Sequence, residues 1–282
     1  MKKIAGFFSL ACIAMFVIAL FLFLIFIYPN QPIARILLYH SVMKAASSSE
    51  PVISIDLFKR QLDYLSAHGY KPVFLKTVIQ RHKTGRTIPS SWVVLTFDGG
   101  YGDFYTNVYP LLKIYKFRAT LFPITSSIGQ EGNVTWGQLE EMQDSGLVEI
   151  GSHSHNHYPP TCLALPDSKK EKTLSKAILE KKLGTRIVSY AYPYGAVNAQ
   201  VEEMVKEAEY EGAVGTAYRL GEFKLKDVYN LRRIYVSEYS KLPLMFRFML
   251  SGHYVPARGL ILRVLNIKAP RDVNDCADWK TG

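Results

Sequence analysis

The stretch Trp92–Tyr101, which reads WVVLTFDGGY, contributes most to predicting the fold of this chain. Its run of apolar and β-branched residues predicts a buried strand, and the two glycines that follow Asp98 predict a turn. A carboxylate directly after a buried strand is costly unless it is paired or takes part in chemistry. The alternative is an aspartate that only caps the turn.

Strand-like and helix-like segments alternate from Ile33 onward. This alternation is typical of parallel βα units. About seven repeats predict an α/β fold, a distorted (β/α) barrel of the TIM type, with an open doubly wound sheet as the competing topology. The predicted helices are a segment capped by Ser54 that stops near Gly69, Tyr109–Tyr115, Leu139–Asp144, Leu174–Leu183 and Val201–Glu209.

Polar residues follow several of the predicted strands. His40, Asp98, the segment His153–His157 and Tyr194 each come just after a strand, and Arg233 lies at the start of one. The carboxyl ends of the strands share one face of a (β/α) barrel, and that face carries the chemistry. We therefore expect these residues to converge.

The amino-terminal segment predicts a membrane anchor. Lys2 and Lys3 precede Ile4–Tyr28, which contains no charged residue, and a spanning helix needs roughly 20 apolar residues. The two lysines predict a cytoplasmic amino terminus. The expected organisation is a single-pass signal anchor over 1–30, a catalytic domain over 31–269 outside the plasma membrane, and a polar tail over 270–282. Late cleavage and secretion are the alternative.

Composition excludes some classes of protein. The chain of 282 residues has a net charge of +10 and a hydrophobic fraction of 48%, which is ordinary for a globular protein. The basic residues are scattered, so we expect a basic surface near an anionic membrane rather than nucleic-acid binding. Cys162 and Cys276 form either one disulfide or two free thiols. We expect a monomer.

The segment Gly151–His157, which reads GSHSHNH, holds three of the seven histidines of the chain. Neutral imidazoles are common ligands of zinc and related ions. His153 and His157 are four residues apart and can approach one ion from the same side. The alternative is a polar surface loop, because short motifs produce many false matches.

Several motifs together resemble the polysaccharide deacetylase family, the NodB-homology group of carbohydrate esterases. Thr96–Tyr101 is similar to the Thr-Phe-Asp-Asp-Gly-Tyr motif, His153–His157 to His-Ser/Thr-x-x-His, and Ala191–Gly195 to the Pro-Tyr-Gly segment. Leu38–Val42 and Leu231–Ile234 resemble the first and last segments of the exported subgroup that acts on poly-N-acetylglucosamine. The resemblance runs from about Ile36 to Met249.

This resemblance implies a distorted barrel that hydrolyses N-acetyl groups. His153 and His157 would hold a divalent metal, with zinc expected and cobalt or nickel as alternatives, which activates water and polarises the acetyl carbonyl. Asp98 would be the general base. The backbone N–H of Tyr194 would stabilise the oxyanion. His155, between the two ligands, is expected to be a loop residue.

Gly99 departs from the family pattern, because an aspartate that serves as the third metal ligand is usual at this position. Three outcomes are open: water completes the metal shell, Asp103 reaches in as a ligand, or metal binding is lost. The family also often has an arginine where Ala191 stands; Arg233 either replaces it or is an ordinary surface arginine.

The late histidine that serves the family as general acid is absent. His40 is the expected substitute, with a purely structural histidine as the alternative. The sequence therefore predicts a metal-dependent hydrolase that removes N-acetyl groups from an N-acetylglucosamine polysaccharide. The alternatives are an O-acetyl esterase acting on xylan-like glycans and a non-catalytic glycan-binding protein of the envelope.

Overall fold

The computed structural model describes residues 35–45, 51–216, 227–252, 254 and 276. Its strands are β1 (Arg35–Tyr39), β2 (Ser41–Met43), β3 (Val52–Ser54), β4 (Lys71–Pro72), β5 (Trp92–Gly99), β6 (Ala119–Pro123), β7 (Val148–Ile150), β8 (Ser189–Ala191), β9 (Gly212–Thr216) and β10 (Leu231–Tyr235). Its α-helices are α1 (Ile55–Ala67), α2 (Leu75–Lys83), α3 (Tyr109–Tyr115), α4 (Trp136–Asp144), α5 (Leu165–Leu183), α6 (Ala199–Glu207) and α7 (Pro243–Leu250).

The main sheet is parallel and curled. Its strand order is β7-β6-β5-β1-β10-β9-β8, with β4 paired to β5, while β2 and β3 form a separate pair. The two ends of the sheet meet through a parallel bridge between Ser152 and Tyr190. There the Ser152 N–H donates to the Ser189 carbonyl at 3.0 Å, and the Ala191 N–H donates to the Ser152 carbonyl at 2.9 Å. The parallel α/β prediction is confirmed, and the curled sheet is consistent with a distorted barrel.

The meeting of β7 and β8 depends on Gly151. A Cβ at this position would lie 2.3 Å from a ring carbon of Phe122 and 2.7 Å from the Ser189 Oγ. Both distances are shorter than a packed interior permits. The glycine therefore lets the chain pass close to β6 and β8 immediately before the histidine segment.

Helix α2 closes the amino-terminal end of the curled sheet. Its residues Leu75, Val78 and Ile79 cluster with residues of β1, β5, β6, β8 and β9. The Leu75 N–H donates to the Thr120 Oγ1 at 3.1 Å, and the Lys76 N–H donates to the Glu149 carboxylate at 3.2 Å. These two side chains satisfy backbone groups in the first turn of the helix. The carboxyl ends of the strands lie at the opposite end.

Two predicted helices are confirmed closely, while α4 and α5 are longer than predicted, α4 by three residues at its start. The Ser54 hydroxyl accepts from the Leu57 N–H at 3.2 Å and caps α1, and α3 has the predicted bounds. Helix α5 begins at Leu165, well before the predicted Leu174. Its first half buries polar side chains, so it lacks the apolar periodicity on which a sequence-based prediction depends. These buried polar residues are Ser168, Glu171, Lys172 and Ser175.

The two cysteines of the outer region are linked. Cys162 and Cys276 form a disulfide with Cα atoms 5.3 Å apart, which decides between the two alternatives left open by the sequence. Cys162 lies in the segment between the histidine motif and α5. The disulfide thus tethers that segment to a residue near the carboxyl end of the chain.

The predicted anchor over 1–30 lies outside the described residues, as does most of the predicted tail. Within the part of the chain that the structure describes, no helix has both the length and the apolar character needed to cross a membrane.

Candidate active site

Asp98 and Arg233 form the centre of the candidate site. The Arg233 Nη1 donates to the Asp98 Oδ1 at 2.6 Å, and its Nη2 donates to the Asp98 Oδ2 at 2.6 Å. The same guanidinium donates from Nε to the Gly215 carbonyl at 3.0 Å and from Nη1 to the Thr96 Oγ1 at 3.3 Å. Arg233 is fully buried, so the alternative of a surface arginine is wrong. It also lies in the middle of β10, not at the start of a strand.

The ion pair keeps Asp98 ionised. Burial alone would raise the pKa of this carboxyl, but the charge of Arg233, with smaller contributions from His153 and from the Arg233 hydrogen bonds, lowers it to about 2. A two-pronged contact with guanidinium is the geometry that best compensates a buried carboxylate. Asp98 is therefore held as an oriented anion inside the barrel.

His153 presents its Nε2 to the site as a neutral imidazole. Its Nδ1 lies 2.9 Å from the Ala191 carbonyl, and a carbonyl can only accept, so the proton is on Nδ1 and Nε2 has a free lone pair. Burial lowers the pKa of His153 to about 3, against the opposing effect of Asp98. Because the ring is neutral, the 3.7 Å approach of its Nε2 to the Asp98 Oδ2 is not an ion pair.

His157 faces His153 from the same loop. The two Nε2 atoms are 3.1 Å apart. The His157 Nδ1 lies 3.2 Å from the Tyr194 hydroxyl, and the two ring centroids are 4.5 Å apart. Burial lowers the pKa of His157 as well. Tyr194 has a φ of 57°; the oxyanion role predicted for its backbone N–H stays a prediction.

The two histidines fit a metal ion better than the remaining side chains do. Two nitrogens bound to a tetrahedral zinc ion at about 2.0–2.1 Å stand about 3.3 Å apart, which is close to the observed 3.1 Å. In the described ranges, however, no group of three or more His, Cys, Asp or Glu residues could hold a metal. The donor set present is therefore two neutral imidazoles, with Asp98 engaged by Arg233.

Asp103, proposed as a replacement ligand, makes its contact elsewhere. Its Oδ2 accepts from the Val42 N–H at 2.5 Å. The carboxylate thus serves the backbone of β2 and does not complete a three-residue group with His153 and His157. A role of Asp103 as a metal ligand would require this contact to change, and it stays a prediction.

Position 99 disfavours a larger side chain. Gly99 has a φ of 102°, and a Cβ built there would lie 2.5 Å from a ring carbon of Tyr101. The Tyr101 ring thus occupies the space into which a side chain at position 99 would point. The local backbone conformation at this position favours glycine.

His40 lies next to the same cluster. Its ring packs 6.0 Å from that of Tyr235, and its Nδ1 is buried without a hydrogen-bond partner. Burial lowers the pKa of His40, and the charges of Asp98 and Arg233 act on it in opposite directions. A buried ring nitrogen without a protein partner is unusual for a purely structural histidine.

His155 points away from the pair. Its Nδ1 lies 2.8 Å from the Thr125 Oγ1, as expected for a loop residue. Its backbone N–H donates to Glu171, a residue of α5 that the sequence analysis did not select. In the sequence, Glu171 is a glutamate in the first half of a helix that lacks apolar periodicity. This pattern alone does not indicate a functional role.

Replacing Arg233 tests the central ion pair. We expect Arg233→Met to lower the free energy of unfolding by about 3–5 kcal/mol at pH 7, because Asp98 is left as a buried, uncompensated charge. In the Asp98→Asn/Arg233→Met double variant the loss is smaller than the sum of the single losses. Urea unfolding measures both.

The matched control is Arg186→Met, which removes an exposed pair with Glu211 at 3.1 Å and is expected to cost under about 1 kcal/mol. A loss in Arg233→Met no larger than in this control contradicts the account.

Introducing an aspartate at position 99 tests whether a side chain there is disfavoured by the Tyr101 ring and by the backbone conformation. We expect Gly99→Asp to lower the thermal midpoint and to leave the metal content unchanged, because the new side chain meets Tyr101 in a left-handed backbone conformation. Gly69→Asp is the control: its φ is 70° and no atom lies within 4 Å of the added Cβ. The account is contradicted if Gly99→Asp is as stable as Gly69→Asp and binds more zinc than the wild type.

Comparison with known proteins agrees with this geometry. The family model for polysaccharide deacetylase matches residues 85–213. The chain is 30% identical over 196 residues to the poly-beta-1,6-N-acetyl-D-glucosamine N-deacetylase of Staphylococcus aureus (strain MRSA252), covering 60% of this chain and 67% of that protein. The Escherichia coli (strain K12) protein of the same name is 32% identical over 137 residues, covering 43% of this chain and 20% of that protein.

The chain spans only part of some relatives. A Bacillus subtilis (strain 168) relative, 31% identical over 186 residues, is covered over 62% of its length. Two solved structures match more completely. The Streptococcus pyogenes deacetylase PplD in complex with acetate gives a TM-score of 0.67 at 27% identity, covering 75% of this chain and 96% of that chain. IcaB from Ammonifex degensii gives 0.68 at 26% identity, covering 77% and 97%. The chain belongs to the polysaccharide deacetylase family.

Proposed function

We propose that this chain is a metal-dependent N-deacetylase that hydrolyses acetamido groups of an N-acetylglucosamine polysaccharide outside the plasma membrane. The observation that carries the proposal is the joint placement of an oriented carboxylate and a pair of imidazoles. Asp98 is fixed by Arg233 with both oxygens bonded at 2.6 Å, and the facing Nε2 atoms of His153 and His157 lie beside it.

A divalent cation held by His153 and His157 would polarise the acetyl carbonyl and acidify the attacking water. Zinc is the first candidate, because two neutral imidazole nitrogens suit it, with cobalt and nickel as alternatives. Contacts to the Nδ1 atoms of the two rings support this arrangement: the Ala191 carbonyl accepts from His153 and orients its ring, and the Tyr194 hydroxyl lies 3.2 Å from the Nδ1 of His157.

Asp98 accepts the proton of the attacking water. A carboxylate whose pKa is held at about 2 is ionised at neutral pH, and it keeps an acquired proton only weakly. The proton must therefore pass from Asp98 to the leaving nitrogen. This transfer accompanies formation of the C–O bond and cleavage of the C–N bond. His40 is neutral and has an unpartnered buried Nδ1, so it can receive this proton and donate it to the amine.

The oxyanion needs donors that are in place before the reaction. The backbone N–H of Tyr194 is our candidate, in a turn held by a left-handed residue whose ring packs on His157. The Tyr194 and Tyr101 side chains are partly exposed, at 41% and 38%. Rings with an apolar face and a polar tip at an open site suit a chain-like, hydroxyl-rich substrate.

The substrate and the location rest on two further observations. The S. aureus and E. coli relatives are named for N-deacetylation of poly-beta-1,6-N-acetyl-D-glucosamine. The Cys162–Cys276 disulfide supports an oxidising compartment, which agrees with a domain held outside the plasma membrane by the segment over 1–30. An O-acetyl esterase would use the same groups, so the test includes its substrate.

Acetate release by the purified full-length chain tests the function. We expect release from poly-β-1,6-N-acetylglucosamine, dependent on added zinc or cobalt and abolished by a chelator, and none from O-acetylated xylan. Asp98→Asn is expected to slow the reaction about 10²–10⁴-fold. A folded, metal-supplied chain that releases no acetate from the amide polymer, or only acetate from xylan, would show the proposal to be wrong.

The role of His40 is tested by comparing leaving groups. Amine departure needs a proton, whereas 4-nitrophenolate departs without one. We therefore expect His40→Gln to slow acetate release from the polymer about 10²-fold and to change 4-nitrophenyl acetate hydrolysis by less than about threefold. His82→Gln, on α2, is the control. Equal losses on both substrates would indicate a structural histidine.

A further inference from the structure

Glu171 of α5 contacts the histidine loop from its buried side. Its Oε2 accepts from the His155 N–H at 3.0 Å and from the Asn156 N–H at 2.6 Å, and its Oε1 accepts from the Asn156 Nδ2 at 2.7 Å. The residue is 9% exposed. One carboxylate therefore holds the two residues that precede His157.

The backbone of this loop requires such support. Ser154 has a φ of 67° and His157 a φ of 63°, and a left-handed non-glycine residue is strained and persists only where its surroundings impose it. The Ser154 Oγ accepts from the His157 N–H at 2.9 Å, which is a contact within the loop. Glu171 supplies the contact from a rigid helix.

A missing third ligand makes the direction of each histidine more important. Gly99 offers no side chain, and the described residues contain no three-membered donor group. An ion held by two imidazoles loses a large share of its binding when one ring turns away. The direction of His157 follows from the loop, since its own N–H and the two preceding residues are all bonded.

We propose that Glu171 is a positioning residue that directs the His157 Nε2 toward His153 and thereby determines the metal affinity of the site. It touches neither the substrate nor the metal, and it acts through the backbone of residues 155–157. This inference rests on the proposed metal-dependent function. It also gives a reason for one of the polar residues that α5 buries.

The same helix provides a matched control. Glu180, nine residues further along α5, also accepts a backbone N–H, that of Ile187, at 2.9 Å. Ile187 lies just before β8, outside the histidine loop. Glu180→Leu therefore removes a carboxylate–amide bond of the same kind from the same helix without touching the loop.

The test measures zinc affinity by competition with a chromophoric chelator, together with hydrogen exchange of the His155 and Asn156 amides in the metal-free full-length chain. We expect Glu171→Leu to weaken zinc binding about 10–100-fold, as for other groups that orient a metal ligand, and to speed exchange at both amides. Glu171→Gln keeps one oxygen for the two N–H groups, and the Asn156 amide can turn to accept from the new NH₂. We expect the zinc affinity of Glu171→Gln to remain within about threefold of the wild-type affinity.

Glu180→Leu is expected to lower stability while leaving zinc affinity and loop exchange unchanged. The proposal is overturned if Glu171→Leu binds zinc as the wild type does, or if Glu180→Leu weakens zinc binding equally. A wild-type chain that binds no zinc contradicts the metal dependence of the proposed function. In that case the exchange data still test whether Glu171 orders the loop. Faster exchange in Glu171→Leu than in Glu180→Leu supports this role, and equal exchange in the two variants refutes it.

Discussion

The rest of the site depends on the ion pair between Asp98 and Arg233. A carboxylate inside a barrel cannot remain ionised without a partner, and here the partner comes from β10, across β1 from β5. Arg233 also bonds the Gly215 carbonyl of β9. One guanidinium thus connects three strands and fixes the direction of the anion. The charge that the proposed mechanism assigns to Asp98 and the packing of the barrel interior rest on the same contact.

The histidines are positioned by a different part of the structure. The sheet closes between β7 and β8 directly before His153, so the first histidine is placed by strand geometry and by the Ala191 carbonyl. His157 lies four residues later, on a strained loop that is bonded to α5. Helix α5 contacts both parts of this segment: its Ser175 Oγ lies 2.8 Å from the Ser152 Oγ, directly before His153, and its Glu171 bonds the backbone of residues 155 and 156. The polar buried face of this helix therefore belongs to the support of the site.

Much of the fold was predictable because it depends on local patterns. The apolar run of β5 and the cap of α1 follow from residue type and spacing alone. The start of α5 was not predictable, because its buried face is polar and hydrophobic periodicity carries no signal there.

At the site, Asp98, His153 and His157 stood out as a constellation, and the partnership of Arg233 was one of two open alternatives. Asp103 bonds the Val42 N–H in this structure, and the direction of its side chain after the turn is a tertiary property that sequence does not give; its role as a ligand stays a prediction. A side chain at position 99 would meet the ring of Tyr101, and the spacing of residues in the sequence does not reveal this contact.

We therefore propose a site in which His153 and His157 are the two protein ligands of the metal, beside Gly99, and in which Asp98 is kept apart by Arg233. A crystal structure of the zinc-loaded full-length chain, with anomalous scattering to locate the ion, tests this claim most directly. The account predicts zinc bound by the Nε2 atoms of His153 and His157, no third protein ligand, and the Asp98–Arg233 contact intact. Zinc bound by Asp103, an Asp98 released from Arg233 to coordinate the ion, or no zinc between the two histidines would contradict it.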